Sequence, residues 1–540
     1  MKFKTLAWLW HEWRGNRLQA TLNALIGVAD VALSLAQVWA VKRAIDIASG
    51  TAEGSVYWAV GTMAALIMGG FATGIAGVWV RNILGVRAQN RMQCRMLDHI
   101  MRMEWRGREH HHSGDVLNRL EADVSAVVTF LTETIPNTLS VLMMFVGAFA
   151  CLYSMDRMLA LILVAIIPLF LAVSKIYMRQ MRRLTRLVRD SDSRVQASMQ
   201  ESVQQRMVIK TLEATCSVVG RLDAAQAQLR RNVVRRTMFS VFSNFVLNFG
   251  FALGYLIAFM WAAVRMSAGT LTFGGMTAFL QLVNKIQSPA RSLTKLAPAF
   301  VSVLTAAERL MELLDEPLER QGEPQAMAAP CGVRLDDVSY RYDDGTRDVV
   351  SHLSFDFAPG SCTAVLGETG AGKTTLVRML LALTHPTGGT VTLYNDEGSE
   401  LEASALTRCN FVYVPQGNTL MSGTIRDNLL LGNPRATDGD MREALHRSCA
   451  DFVDALPDGL DTMCGEHGGG LSEGQAQRIC IARALLRNRP IMIFDEATSA
   501  LDADTEARLL DSLLAGTRRT VIFITHRPAV LRYCTQKLEL

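Results

Sequence analysis

The sequence predicts a membrane domain of six α-helices followed by a soluble α/β domain of the P-loop NTPase class. Three observations support this division. Long stretches of the first 300 residues carry no charged side chain, whereas later residues alternate short β-rich runs with helical ones. The mean hydropathy of +0.17, high for a chain with 20% charged residues, agrees with an apolar part joined to a polar one. A glycine-rich loop lies in the soluble part, directly after an apolar run.

The predicted membrane spans are six stretches that are almost free of charge. They cover residues 18–41, 54–80, 134–155, 158–174, 237–264 and 266–284. A spanning helix needs about 20 mostly apolar residues, so the fourth stretch is short and the sixth is expected to continue toward Pro289. Asp30 alone interrupts the first stretch, and it either takes part in substrate or proton binding or packs helices together. Lys285 is expected to extend to the cytosolic interface.

The distribution of basic residues orients the spans. Eight arginines lie in segment 81–133 and fourteen lysines and arginines in segment 175–236, whereas the opposite loops carry one or two each. Because excess Lys and Arg mark the cytoplasmic side, both termini and both long loops are expected in the cytosol. We therefore expect a multi-pass protein of the cell membrane, in bacteria the cytoplasmic (inner) membrane, with its soluble domain in the cytosol. The near balance of 55 basic and 51 acidic residues gives no reason to expect nucleic acid.

A change in composition after residue 300 predicts the domain boundaries. We expect a transmembrane domain over 1–316, a linker over 317–332 that is rich in proline and small residues, and a nucleotide-binding domain over 333–540. Four short runs of the last segment have strand character: Thr363–Leu366, Phe411–Val414, Ile491–Phe494 and Val521–Ile524. The ten cysteines show no metal-ligand spacing, which indicates reduced structural thiols.

The glycine-rich loop fits the phosphate-binding pattern G-x-x-x-x-G-K-S/T. Its residues are Gly367, Glu368, Thr369, Gly370, Ala371, Gly372, Lys373, Thr374 and Thr375. Glycines let backbone N–H groups converge on phosphate oxygens, and the following helix adds its positive N-terminal end. The pattern places Lys373 on the β- and γ-phosphates and Thr374 on Mg²⁺.

A pair of carboxylates follows a second apolar run. Ile491–Phe494 reads as a buried strand that ends at Asp495 and Glu496. Ligand groups of a parallel sheet lie at the carboxyl ends of its strands. Asp495 is therefore expected in the Mg²⁺ shell, and Glu496 is expected to polarise the attacking water as general base. The alternative, an ordinary helix N-cap, is disfavoured because a phosphate-binding loop needs an acidic partner.

Further motifs make the chain resemble the ATP-binding cassette (ABC) exporters over nearly its whole length. Leu471-Ser472-Glu473-Gly474-Gln475 is similar to the family's signature motif, Ser499-Ala500-Leu501-Asp502 to its D-loop, Gln416 to its Q-loop glutamine, His526 to its switch histidine and Tyr342 to the aromatic residue that stacks on adenine. Glu473 stands where the family usually has a glycine. In the membrane domain, Ser113–Leu120 and the stretch near Gln205–Glu213 occupy the places of the two coupling segments, and Glu466 resembles the exporter loop that touches them.

The resemblance implies that ATP and Mg²⁺ bind between two cassettes. Tyr342, the residues from Gly367 to Thr375, Ser472, Gly474, Gln475 and Asp502 would hold the nucleotide, Gln416, Glu496 and His526 would act in catalysis, and Thr374, Gln416 and Asp495 would hold the metal. One chain carries one cassette, so the resemblance implies a half-transporter that works as a dimer. A complete set of catalytic residues favours a homodimer, while a heterodimer stays open.

The function implied is that of an ABC-type transport ATPase. It would export an amphipathic substrate, such as a lipid, drug or peptide, by alternating access. Two alternatives stay open: an importer on the exporter fold, of the siderophore type, and an ATP-gated channel or regulatory subunit. The intact Glu496 argues against the channel. The run of histidines at 110–112 is expected in a solvated loop rather than in a metal site.

Overall fold

The computed structural model describes residues 2–15, 17–105, 113–342, 347–368, 370–465, 470–515 and 518–540. The chain forms two compact units. The first comprises residues 1–97 and 114–313 and is helical, and the second comprises residues 98–113 and 314–540 and is mostly α/β. Three features named in the sequence analysis lie outside the described residues: Thr369 of the glycine-rich loop, the histidines 110–112 and Glu466.

Long helices dominate the first unit. The helices are α1 (Lys2–Gly15), α2 (Arg17–Ala48), α3 (Val56–Trp79), α4 (Gly85–Met101, which runs into the second unit), α5 (Ser113–Asn118), α6 (Val124–Thr129), α7 (Ile135–Met155), α8 (Arg157–Gln204), α9 (Arg206–Thr211), α10 (Thr215–Ser267) and α11 (Phe273–Leu314). Within the described residues, three π-helical turns interrupt these helices, at Val80–Leu84, Arg119–Asp123 and Phe130–Thr134.

Four continuous helical stretches in the described part of the chain are long and apolar enough to cross a membrane. They are Arg17–Ala48, Val56–Met101, Gly114–Met155 and Thr215–Ser267. The other two predicted spans fall on α8 and α11, which contain side chains outside the description. With 48 and 53 residues, α8 and α10 are about 70 and 80 Å long, well beyond a bilayer core of about 30 Å. Short α9 joins them, at the predicted second coupling segment.

Ion pairs fasten the first predicted coupling segment to the end of α11. The guanidinium of Arg119 is buried and contacts Asp115 at 2.8 Å and Glu312 at 3.2 Å. Arg309 of α11 binds Asp115 at 2.6 Å and Asp123 at 3.3 Å. These ion pairs compensate the buried charge of Arg119 and fix the segment on α11.

Eleven strands and six helices make up the described part of the second unit after residue 314. The strands are β1 (Cys331–Tyr340), β2 (Val350–Phe357), β3 (Cys362–Leu366), β4 (Gly388–Asn395), β5 (Glu400–Glu402), β6 (Phe411–Val414), β7 (Gly423–Thr424), β8 (Met463–Cys464), β9 (Ile491–Asp495), β10 (Thr520–Ile524) and β11 (Gln536–Glu539). The helices are α12 (Lys373–Leu380), α13 (Ile425–Leu430), α14 (Asp438–Arg447), α15 (Glu473–Arg487), α16 (Ala503–Leu514) and α17 (Pro528–Leu531).

A parallel sheet in the order β11-β3-β10-β9-β6 forms the centre of this unit. Every residue of β9 and β10 is buried, as expected for parallel strands covered on both faces. The carboxyl ends of β3, β9 and β10 share one edge, and this brings the loops after them together. The four predicted strands are confirmed. A separate antiparallel sheet, β2-β1-β4-β5, was not predicted.

Specific contacts hold the predicted linker, residues 317–332, to the second unit. Glu319 receives two hydrogen bonds from the Arg408 guanidinium, at 2.8 and 2.9 Å. Arg408 also donates to the carbonyls of Leu381 and Ala382. Met327 N–H donates to the Asn410 side chain at 2.7 Å. The segment is therefore part of the folded unit rather than a free tether.

Replacing Arg408 with alanine is expected to destabilise the second unit. The change removes a bidentate ion pair and two hydrogen bonds to carbonyls, for a loss of about 1–2 kcal/mol after allowance for solvent screening. The unfolding temperature of this unit should fall by about 3–6 °C in a thermal scan of the full-length protein in detergent. Arg334→Ala is the control, because its partners Asp336 and Glu400 are exposed. An equal loss in both variants would contradict the role of Arg408.

Candidate active site

The predicted phosphate-binding loop joins β3 to α12 in the structure. Gly367, Gly370 and Gly372 have φ angles of +155°, +93° and +98°. A Cβ on Gly372 would lie 2.9 Å from the Val349 carbonyl oxygen, so this position requires glycine for both its angle and its space. The loop therefore leads its backbone into the first turn of α12, where N–H groups are free to bind an anion.

Some side chains of the loop are exposed to solvent and others are buried in the protein. Glu368 and Thr374 are exposed, Ala371 is half-buried and Thr375 is buried. The Lys373 ammonium donates to the Gly367 carbonyl, and its Nζ lies 2.9 Å from His526 Nε2. The predicted lysine and the predicted switch histidine, 153 residues apart, are thus in direct contact.

The two carboxylates at the end of β9 have different surroundings. Asp495 is 9% exposed and accepts a hydrogen bond from the Tyr413 hydroxyl at 3.1 Å. Burial raises the pKa of the Asp495 carboxyl. Glu496 has a φ of +47°, an unusual angle outside glycine, and its N–H donates to the Ile524 carbonyl at 2.9 Å. Such strained residues concentrate at functional sites.

Glu496 lies between two other predicted residues. Its Oε2 accepts a hydrogen bond from Gln416 Nε2 at 2.8 Å, and its Oε1 is 4.0 Å from His526 Nε2. Contacts therefore run from Gln416 through Glu496 and His526 to Lys373. The fold brings these four side chains, which come from four separate segments, to one edge of the sheet.

The oxygen atoms nearby suit a hard cation. Asp495 Oδ2 is taken by Tyr413, whereas no hydrogen bond occupies Asp495 Oδ1 in the described part of the chain. The exposed hydroxyl of Thr374 and the amide oxygen of Gln416 are further ligands of the type that Mg²⁺ prefers. A buried carboxylate with a raised pKa gains most from a neighbouring cation. These residues fit the predicted metal.

Tyr342 lies beside the loop. Its hydroxyl is 3.0 Å from Thr375 Oγ1 and accepts a hydrogen bond from Arg378 at 3.2 Å. Its ring meets Tyr340 edge to face, with 5.0 Å between centroids. The structure thus places Tyr342 against the helix that begins in the loop, while adenine stacking stays a prediction.

The signature residues form a second group at the start of α15. Ser472 caps the helix, since its Oγ accepts from Gln475 N–H at 3.2 Å and Gln475 Oε1 accepts from Ser472 N–H at 2.9 Å. Glu473 is exposed in the first helical turn, where a negative charge is favourable. Gly474 packs under the Ala500 carbonyl, 2.8 Å from where a Cβ would be.

The D-loop completes this second group. Asp502 caps α16 by accepting from Thr505 N–H at 2.9 Å, and this hydrogen bond lowers the pKa of Asp502. In the part of the chain that is described, no hydrogen bond of Ser472, Gln475 or Asp502 reaches the phosphate-binding loop. The structure therefore assembles the predicted site residues into two groups, one around Lys373 and one around Ser472.

Sequence reasoning did not find two residues that position the first group. Tyr413 binds Asp495, as described above. Arg527 binds the buried Glu506 at 2.9 Å and the Thr498 carbonyl at 2.9 Å, and so ties the segment after His526 to the segment after Glu496. The position of Arg527 directly after His526 was the only hint of its role in the sequence. Its partners could not be found in this way, because Glu506 and Thr498 lie more than 20 residues before it.

Gly474→Ala is expected to lower ATP hydrolysis at least tenfold while ATP binding is kept. The added Cβ would collide with the Ala500 carbonyl and shift the D-loop, and a displacement near 1 Å can cost about 100-fold in rate. Phosphate release and binding of a fluorescent ATP analogue measure the two effects. Gly439→Ala is the control, because its Cβ would meet Thr437 at an ordinary 3.6 Å. Full hydrolysis by Gly474→Ala would refute this packing argument.

Comparison with known protein families assigns both units. Residues 21–289 match the family described as the ABC transporter transmembrane region, and residues 350–499 match the ABC transporter family. These matches agree with the fold class predicted from the sequence.

Curated relatives and a solved structure extend the likeness over most of the chain. An "ATP-dependent lipid A-core flippase" of Bordetella avium (strain 197N) is 31% identical over 460 residues, which cover 83% of this chain and 76% of that protein. The protein of the same name in Thiobacillus denitrificans (strain ATCC 25259 / T1) is 30% identical over 452 residues, which cover 82% and 77%. The structure of a bacterial Atm1-family ABC exporter with ATP bound matches with a TM-score of 0.80 and 24% identity, over 97% of this chain and 93% of that one, and shows the same fold.

The predicted resemblance, the predicted fold class and the transport-ATPase activity are confirmed by these matches. One helical transmembrane domain and one nucleotide-binding domain stand in a single polypeptide. The chain therefore belongs to the ABC transporter family, as a membrane-embedded half-transporter of the exporter type with an ABC transport ATPase.

Proposed function

We propose that this half-transporter exports an amphipathic molecule across the cytoplasmic membrane, driven by ATP hydrolysis in a dimer. The observation that carries the proposal is the contact series Gln416–Glu496–His526–Lys373 at the phosphate-binding loop. The series contains Glu496 as the general base, the polar side chains of Gln416 and His526 on either side of it, and the Lys373 ammonium as the cation for the phosphates.

Each side chain has a defined task in hydrolysis. The loop N–H groups and Lys373 bind the β- and γ-phosphates. Glu496 accepts a proton from the attacking water, while the hydrogen bond from Gln416 holds its carboxylate in place. His526, on the other side of Glu496, donates to the γ-phosphate. Thr374, Gln416 and Asp495 would hold Mg²⁺, which when bound would supply positive charge to offset that of the phosphates.

The two separate groups of site residues support a dimer. The start of α15 presents N–H groups and positive dipole to an anion, yet in the described residues it has no hydrogen bond to the loop of its own chain. We place Ser472, Gly474, Gln475 and Asp502 of one chain over the ATP on the loop of another. Since each chain carries both groups complete, we favour a homodimer. ATP drives closure because it binds the closed dimer more tightly than the open one.

The names of the curated relatives suggest which class of substrate to test first. Those described above are named as flippases of lipid A-core, an amphipathic lipid. A lipid is therefore the substrate class that we test first. The intact arrangement around Glu496 favours an ATPase that turns over rather than an ATP-gated channel or regulatory subunit.

Transport of a labelled lipid in proteoliposomes tests the proposal. With the ATPase domain facing the bath, ATP should move a fluorescent phospholipid from the outer to the inner leaflet, and it then escapes a membrane-impermeant quencher. Protein with Glu496→Gln serves as the inactive control. Movement in the opposite direction would indicate an importer, and an ATP-dependent ion conductance without hydrolysis would indicate a channel.

A further inference from the structure

Two cysteines of the second unit lie side by side at the start of neighbouring strands. The Sγ atom of Cys362, the first residue of β3, is 3.4 Å from the Sγ atom of Cys534, which lies just before β11. All ten cysteines of the chain are free thiols in the structure. Neither Cys362 nor Cys534 belongs to the ATP site, so the mechanism of hydrolysis does not account for the pair.

Backbone hydrogen bonds hold the two cysteines together. Thr535 N–H donates to the Cys362 carbonyl at 2.7 Å, and Cys362 N–H donates to the Thr535 hydroxyl at 3.2 Å. From there β3 and β11 run in parallel until Leu366 pairs with Glu539. A disulfide bond of about 2.05 Å would need the two sulfur atoms to approach by only about 1.4 Å more.

The two thiols differ in their surroundings. Cys362 is 7% exposed, whereas Cys534 is half-buried and open to a small molecule from solvent. A hydrogen bond from the Cys362 thiol and the charge of Lys537 lower the pKa of Cys534, against the opposing effect of burial. The hydrogen bond to Cys534 and burial raise the pKa of Cys362. Because the thiolate is the nucleophilic form of cysteine, Cys534 is the first of the two to react.

We propose that Cys362 and Cys534 form a redox-sensitive modification site, which a peroxide converts to a disulfide that inhibits ATP hydrolysis. A nucleophilic cysteine that is open to solvent, with a second cysteine in contact, is the arrangement typical of thiol redox sensors. The inference uses the ATPase activity of the chain and is independent of the proposed substrate and of the direction of transport.

The reaction needs no reactant besides the peroxide. With hydrogen peroxide, the Cys534 thiolate attacks one oxygen, the O–O bond breaks, and the leaving hydroxide takes up the proton lost by Cys534 to give water. The Cys362 sulfur then attacks the sulfenic acid of Cys534, the S–O bond breaks, and hydroxide leaves with the Cys362 proton as a second water. Two electrons pass from the two thiols to the peroxide.

The disulfide acts on the ATP site through both of its ends. Strand β3 leads directly into the phosphate-binding loop at Gly367. At the other end, the Cys534 thiol donates to the Val530 carbonyl of α17 at 3.3 Å, and a disulfide has no S–H left to donate. Helix α17 begins two residues after His526. Drawing the sulfur atoms together therefore displaces the groups on both sides of the contact between the loop and His526, where a shift near 1 Å can cost about 100-fold in rate.

Treatment of the full-length protein in detergent with hydrogen peroxide tests the site. Mass spectrometry of peptides prepared without reduction should show Cys362 joined to Cys534, with the loss of two hydrogen atoms. ATP hydrolysis should fall at least about tenfold as this bond forms, and dithiothreitol should restore it.

Variants separate the disulfide from other oxidation. Cys534→Ser should hydrolyse ATP at the normal rate before treatment and keep that rate in peroxide. Cys362→Ala can still form the sulfenic acid of Cys534 but no disulfide, and it should keep its rate as well. Cys409→Ser is the matched control, a half-buried thiol of the same unit, and should be inhibited like the wild type.

Four results would overturn the proposal. The first is no bond between Cys362 and Cys534 in wild-type protein at a peroxide concentration that oxidises other thiols of the chain. The second is full ATP hydrolysis by protein that carries the bond. The third is equal inhibition of Cys534→Ser, which would assign the effect to another thiol. The fourth is equal inhibition of Cys362→Ala, which would assign it to the sulfenic acid of Cys534 rather than to the disulfide.

Discussion

Glu496→Gln is expected to lower the rate of ATP hydrolysis by at least about 100-fold, while ATP stays bound. The substituted amide has nearly the shape of the carboxylate but cannot accept the proton of the attacking water. Binding should survive, because Lys373 and the loop N–H groups are unchanged. Since hydrolysis reopens the dimer, the variant should accumulate in the closed, ATP-bound state.

Phosphate release and the amount of nucleotide that co-purifies with the protein measure these two effects. Glu397→Gln is a suitable control, since Glu397 is an exposed carboxylate in the turn after β4, and it should hydrolyse ATP at the normal rate. Normal turnover in Glu496→Gln would show that another group is the base. Loss of bound ATP in that variant would show that Glu496 acts in binding instead.

Lys373→Ala is expected to weaken ATP binding by about 100-fold and to abolish hydrolysis at ordinary ATP concentrations. The change removes charge-assisted hydrogen bonds to the phosphates, each contributing about 1.5–3 kcal/mol. It also removes the contact that His526 makes with the loop. Titration with a fluorescent ATP analogue measures the affinity. Lys537→Ala, an exposed lysine on the edge strand β11, is the control. Wild-type affinity in Lys373→Ala would contradict the assignment of the loop.

Local sequence patterns were enough to predict the chemistry of the ATP site. The loop from Gly367 and the carboxylates after β9 are encoded in consecutive residues, and the apolar runs before them are buried strands. The partners of those residues were not predictable in this way. Tyr413 contacts Asp495 across 82 positions, and Arg527 contacts Thr498 across 29. Such contacts depend on strand order, which the sequence pattern does not specify.

The membrane unit shows a similar limit. Gaps in charge predicted where the helices lie, but not the π-helical turns that carry Arg81 and Glu133, because a π-helical turn has no simple sequence signal. Asp30 could be read as a binding or a packing residue, and only the structure shows that it lines a cavity with other charges. Lys285 was expected at the cytosolic interface, yet its ammonium donates to the Ser34 hydroxyl on α2. The polar contact between two helices offsets the cost of burying part of that side chain.

The ATP site shared between two chains is the central claim, and mixing two inactive variants tests it most directly. Lys373→Ala has an intact signature group, and Gly474→Ala has an intact phosphate-binding loop. Co-expressed and purified through a different tag on each chain, they should form mixed dimers with one complete site, and ATP hydrolysis should rise well above that of either variant alone. If each chain instead completed its own site, the mixed dimer would be as inactive as its parents, and that result would contradict the account.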